Sequence, residues 1–115
     1  MFAGTIGIFT AHRPHAFALS INERTEKKSA ADFFKNLLLL ITGYDQISIL
    51  ARETMTNCQD YKCASKALSD KHKLIAGAYI ILAGETEGQI ITRDNYQTVN
   101  ITQLLPNERY ILETN

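Results

Sequence analysis

The sequence has little of several things, and each shortage removes a class of protein. It has only two cysteines in 115 residues, too few for a disulfide-built scaffold. Their five-residue spacing, Cys58 to Cys63, fits neither a zinc nor a redox motif. Formal net charge is zero, and Lys and Arg are scattered rather than striped, so nothing suggests a nucleic-acid partner. The apolar run from Leu37 to Ile41 is far too short to span a bilayer. Met1-Phe2-Ala3-Gly4 does not read as a signal peptide. His12, His15 and His72 form no recognisable ligand set, so neither a metal nor a cofactor is expected. There is no internal repeat, no low-complexity run and no linker that would divide two domains.

What is present suits one ordinary domain over residues 1–115, with 45% hydrophobic residues to build a core. The order of elements is strands, helices, strands. Residues 3–10 and 15–23 read as a hairpin around Pro14, with Phe17, Leu19 and Ile21 alternating against Ala18, Ser20 and Asn22. Ser29 and Asp32 suit the start of a helix that ends at Gly43, with Phe33, Phe34, Leu37, Leu38 and Ile41 facing inward. A second helix over 45–57 groups Ile47, Leu50, Ala51 and Met55, and a third over 60–69 groups Tyr61, Ala64, Ala67 and Leu68. Strands are expected at 78–83, 89–92, 97–103 and 109–113, with turns at Glu85-Thr86-Glu87-Gly88 and Pro106-Asn107. On a continuous helix, residues five apart are rotated by about 140°, which argues against a bond between Cys58 and Cys63.

Three stretches carry more than fold. Phe2-Ala3-Gly4 leads through Gly7, Thr10, Pro14 and Phe17 to Asn22-Glu23-Arg24. Ala78-Tyr79-Ile80-Ile81-Leu82-Ala83-Gly84 passes through a polar turn into Ile90-Ile91-Thr92-Arg93-Asp94. Thr114-Asn115 closes the sequence. Together these resemble the acid ceramidase and N-acylethanolamine acid amidase family, hydrolases of fatty-acid amides whose nucleophile is an N-terminal cysteine. In that family an Ile-Thr-Arg-Asp stretch is followed by Thr-Asn-Tyr-Asp. The sequence departs from the pattern at Gly77, where the family has Pro, and at Ala83, where it has Gly.

The resemblance implies an α+β fold, part of the αββα sandwich of N-terminal nucleophile hydrolases, with antiparallel sheets and flanking helices. It implies a single but incomplete domain, an internal piece of the β subunit, marginally stable when isolated. Helices should cover one sheet face and leave the other unusually apolar. The resemblance places the nucleophile outside this sequence. Asn115 falls where an amide side chain stabilises the oxyanion, and Asn22 and Glu23 fall beside the substrate. Glu23 has two readings, a carboxylate acting on the substrate amide or an exposed strand-end pair with Arg24. Arg93 and Asp94 face opposite sides of a strand and suit a structural ion pair or hydrogen bond. Phe2, Ile6, Ile8 and Phe9 suit core better than an acyl channel.

The expected partners are a fatty-acid amide lipid, a separate amino-terminal (α) subunit and the remaining β-subunit segment, with no transmembrane segment. A lysosomal or secreted location is implied, and Asn100-Ile101-Thr102 is a sequon for N-glycosylation at Asn100. The alternative is a non-catalytic lipid-binding or regulatory relic of the family.

Overall fold

A computed structural model describes residues 6–24, 30–70 and 73–113. Five strands form one antiparallel sheet in sequence order: β1 (Thr10–Arg13), β2 (Phe17–Glu23), β3 (Ala78–Ala83), β4 (Gly88–Arg93) and β5 (Thr98–Gln103). Between β2 and β3 the chain makes three helices, α1 (Ala30–Ile41), α2 (Ile47–Asn57) and α3 (Tyr61–Ser69).

The alternation in β2 and β3 determines the layering. Phe17, Leu19 and Ile21 of β2 share a face with Ala78, Ile80 and Leu82 of β3 and with Ile91 of β4, and all seven are buried. Leu50 and Ala51 of α2 and Ala64 and Leu68 of α3 complete this core. Burying each large aliphatic side chain contributes about 1.5–3 kcal/mol. Both helix faces match the pattern read from sequence. The opposite sheet face, expected to be unusually apolar, is mixed: Ala18, Ser20, Asn22, Tyr79, Ile81, Ile90 and Thr92 lie on it. Only Ile90 among them is buried.

Local chemistry sets the ends of the elements. Arg13 and Phe17 are paired across a three-residue turn whose middle residue, His15, is left-handed at φ 59°, the usual device of a three-residue hairpin. Gly43 ends α1 at φ 84°, a conformation that costs glycine least. Asp60 caps α3, its carboxylate accepting from the Cys63 amide at 2.8 Å. Gly84 is required by packing, because a Cβ there would lie 2.9 Å from the Tyr61 ring.

Four expectations need correction. The first strand pairs only from Thr10, since the Ile8 amide donates to Ser48 of α2 at 3.0 Å and leads the preceding chain toward the helix. Gly7 permits this, because a Cβ would collide with Ser48. Ile6 and Phe9 are therefore exposed rather than core, while Ile8 is partly buried; Phe2 lies outside the described residues.

The segment 109–113 is not a strand. A turn does form at Pro106–Asn107, where the Glu108 amide donates to Leu105 at 2.9 Å. Beyond it Tyr110 and Leu112 stay exposed, so the alternation finds no surface to bury it.

The inward face assigned to α1 is absent. Phe33, Phe34, Leu37, Leu38 and Ile41 are 68, 70, 45, 61 and 75% exposed, and among the described side chains of α1 only Leu39 reaches the interior. The residues that suit a helix start, Ser29 included, lie partly outside the described set.

Cys58 and Cys63 form a disulfide, with Cα atoms 5.4 Å apart. The continuous-helix geometry does not apply. Cys58 sits after α2 in an extended conformation, φ −93° and ψ 134°, and α3 starts only at Tyr61.

Candidate active-site end of the sheet

One end of the sheet gathers the ends of β2 and β4 and the starts of β3 and β5. Two cross-strand rows run along it. In the outer row the backbone of Glu23 pairs with Ala78, Ala78 with Arg93 and Arg93 with Thr98. In the next row Asn22 pairs with Tyr79, Tyr79 with Thr92 and Thr92 with Asn100. A register shift between Thr92 and Arg93 separates the two rows on the β4–β5 side.

Arg93 is the structural hub of the outer row. It is fully buried, and its Nη1 donates to the Leu68 carbonyl in the last turn of α3 at 2.7 Å. This ties the end of β4 to a helix C-terminus, where a cation is favoured. Burial pushes the guanidinium pKa down, while Asp94 and Asp70 act in the opposite direction. Asp94, immediately after β4, serves a different purpose: its Oδ1 accepts from the Tyr96 and Gln97 amides at 2.7 and 2.8 Å and builds the turn into β5. Nearby, the Thr98 hydroxyl donates to the Ser69 carbonyl at 2.9 Å, which fastens β5 to the same end of α3.

Of the residues picked from sequence, Asn22 is exposed on the face away from the helices. Glu23 closes β2, and its backbone is opposite Ala78. Asn115 lies outside the described residues. Asn100 is exposed on β5, its amide donating to the Thr102 hydroxyl of its own sequon at 3.3 Å. His12 and His15 are exposed at the β1–β2 hairpin. Among the described residues no group of three His, Cys, Asp or Glu is arranged to hold a metal ion, and no helix is long and apolar enough to cross a membrane.

Tyr79 and Thr92, which the sequence reading did not single out, stand next to Asn22 at this end of the sheet. Both are half-buried and share the row of Asn22. A register count outward from the turn at residues 84–87 would have aligned them, since antiparallel partners keep a constant sum of residue numbers.

Comparison with known proteins gives this end of the sheet a context. Acid ceramidase of Balaenoptera acutorostrata scammoni is 33% identical over 121 aligned positions, which take in 99% of this chain and 30% of the relative. N-acylethanolamine-hydrolyzing acid amidase of Rattus norvegicus is 34% identical over 108 positions, 91% of this chain and 28% of the relative. The solved structure of the Caenorhabditis elegans N-acylethanolamine-hydrolyzing acid amidase ortholog superposes with a TM-score of 0.78 at 26% identity, covering 91% of this chain and 44% of that one. The chain belongs to the acid ceramidase and N-acylethanolamine acid amidase family. No family model matches it. Within the acid ceramidase family it spans about 30% of the length of the relatives it matches, and its sheet with helices on one face is the α+β arrangement of the family's N-terminal nucleophile fold.

Proposed function

We propose that this chain is part of a cysteine amidase that cleaves the amide bond of ceramides or N-acylethanolamines. The carrying observation is the similarity along nearly the whole chain to relatives of both kinds, accompanied by the same fold in the worm amidase. The nucleophile belongs to another part of the protein, because Cys58 and Cys63 are spent on each other. In the reaction the thiolate of that nucleophile attacks the amide carbonyl, the C–N bond breaks, and the amine leaves with a proton. Water then splits the thioester to give the free fatty acid and regenerate the thiol.

The resemblance to the family assigns the roles of the residues in this chain, and they are of the kinds such a reaction needs. Asn115 donates through Nδ2 to the oxyanion, a dipole that does not titrate and is worth about 3 kcal/mol of barrier. Asn22 and Glu23 hold the substrate at the end of β2. The carboxylate of Glu23 accepts from the substrate amide nitrogen and, when protonated, tolerates the neighbouring thiolate. The amino-terminal subunit and the rest of the β subunit are the partners that complete the site. A secreted or lysosomal location is supported by the disulfide, which persists in oxidising compartments. Exposure of Asn100 agrees with glycosylation there.

Fluorogenic ceramide and N-acylethanolamine substrates at pH 4–7 test the reading. The 115 residues alone should give no turnover, and the full-length protein that carries them should give turnover that survives Cys58→Ala and Cys63→Ala. Turnover by the short chain that either substitution abolishes would show that the nucleophile has been misplaced.

A further inference from the structure

Beside α3 the helix-covered face of the sheet is left open. The helix lies over β3 and β4, and the same face of β5 continues past it as a shelf on which Ile101 is 40% exposed. Between helix and shelf runs a groove of about 370 Å³. Its wall is Tyr61, Ser65 and Ser69, four residues apart and so stacked on one flank of α3. Its floor is Gln89 of β4 with Ile101 and Gln103 of β5, and Gln89 is paired directly with Gln103. Lys62 and Lys66 of α3 and Glu87 of the β3–β4 turn add charges of both signs.

The polar groups at the bottom of the groove are buried yet not used up. Gln89 is only 3% exposed, and its Nε2 donates to Ser65 Oγ at 2.7 Å. That bond leaves Gln89 Oε1 as an acceptor and the Ser65 hydroxyl as a donor, side by side, with no partner among the described residues. Ser69 Oγ, closed off from solvent, likewise has no partner among them. Buried polar atoms are ordinarily satisfied. The Tyr61 hydroxyl remains a donor at neutral and acidic pH, since burial and then Glu87 raise its pKa.

Chemistry narrows the occupant. Of the lining side chains only Ile101 and the ring of Tyr61 are apolar, so an acyl chain would gain little there. An anion would meet Glu87 and, at Ser69, the carbonyl end of α3. Among the described residues no three His, Cys, Asp or Glu gather to hold a metal ion. A ring bearing neutral hydroxyls fits better. Adjacent hydroxyls can give one hydrogen to Gln89 Oε1 and accept one from Ser65, while the C–H face of the ring lies on Ile101 and Tyr61.

We propose that the groove between α3 and β5 binds a neutral monosaccharide unit, with Gln89 and Ser65 as the pair that recognises adjacent hydroxyls. It lies on the opposite sheet face from Asn22 and at the other end of β4 from Arg93, and it stands whether or not the chain serves an amidase. The sugar comes from the glycan of a glycoprotein or from the head of a glycolipid, which share this chemistry.

The test uses the full-length protein that carries this chain, and amidase activity plays no part in it. Saturation-transfer NMR with the methyl glycosides of mannose, galactose and N-acetylglucosamine at millimolar concentration should show binding of at least one, undisturbed by inorganic phosphate. Ser65→Ala and Gln89→Leu should each weaken that binding about tenfold, the loss of one well-placed hydrogen bond. Gln89 is buried, so if Gln89→Leu fails to fold, Ser65→Phe decides with Ser65→Ala: it fills the groove and should abolish binding while the protein stays folded. Two further pairs assign the source, a glycoprotein before and after enzymatic removal of its N-glycans, and phosphatidylcholine vesicles with and without a monohexosyl lipid; binding to neither makes a free sugar the ligand. The proposal is overturned if no glycoside binds, if phosphate displaces the one that does, or if binding survives Ser65→Phe. It is equally overturned if Ser65→Cys resists alkylation in the native protein, because another segment then fills the groove.

Discussion

Helix α1 and the pair α2–α3 have opposite relations between composition and burial. α1 is the most apolar of the described helices, with two adjacent phenylalanines and four consecutive leucines, yet among its described side chains Leu39 alone is buried. α2 and α3 carry Arg, Glu, Lys and Ser, yet they hold the core: Leu50, Ala51, Ala64 and Leu68 are buried, and α3 is capped by Asp60. Further contacts tie this pair down. Arg13 of β1 donates to the Met55 carbonyl at 3.0 Å, Gln89 of β4 donates to Ser65 at 2.7 Å, and the disulfide joins the two helices. Apolar content alone does not say what a helix packs on; contacts with a defined face do.

The comparison breaks most directly under core substitution. Leu68→Ala or Ile80→Ala should cost about 2–5 kcal/mol through lost transfer energy and a residual cavity. Leu38→Ala in the same 115-residue chain should stay within about 0.5 kcal/mol, the range of exposed positions. Urea denaturation measures both. If Leu38→Ala costs as much as Leu68→Ala, α1 is not an exposed helix and the contrast fails. In the full-length protein, a cost at Leu38 that is missing in the short chain would show that another segment covers α1.

Arg93→Ala comes next. It strips the last turn of α3 of its donor at Leu68 and leaves a void among buried groups, so about 3 kcal/mol or more of stability should be lost. Chemical denaturation would register this as a lower midpoint and a reduced folded yield, and an unchanged midpoint would remove Arg93 from the scaffold.

Cutting the disulfide should have a smaller effect. Cys63→Ser frees a short loop, and the chain-entropy account gives about 2 kcal/mol for it. Hydrogen exchange should then quicken in α2 and α3 while α1 keeps its rate, and a change confined to α1 would contradict the placement of the bridge.

The mildest test is alkaline. Burial, and then the charge of Glu87, push the Tyr61 hydroxyl up to about 12 from its ordinary value of 10.0. A raised pKa in the folded state means that folding favours the protonated form. The contribution is complete below pH 10 and is lost as pH rises toward 12. Stability should fall across that window, and Tyr61→Phe should flatten the fall; an equally steep profile in Tyr61→Phe would assign it to other groups.

Legibility from sequence follows the same division. The buried faces of β2, α2 and α3 were readable because each repeats against a surface that this chain itself supplies. The faces of α1 and the 109–113 segment were not, since periodicity marks an apolar face without naming the layer that covers it. The disulfide was hidden because a three-residue break, residues 58–60, separates α2 from α3 and abolishes the helical geometry assumed for Cys58 and Cys63. At the site, family motifs point to Asn22, Glu23 and Asn115 one residue at a time. The alignment of Tyr79 and Thr92 with Asn22 emerges only through strand register, a relation between segments more distant than any motif.

The central claim is that the chain supplies the catalytic surroundings of an amidase whose nucleophile comes from elsewhere in the protein. Steady-state kinetics of Asn115→Ala in the full-length protein test it most directly. An oxyanion donor acts only once the carbonyl has been attacked, so kcat should fall about 10²–10³-fold while KM stays nearly constant. A kcat within about twofold of wild type in a correctly folded variant would contradict the account.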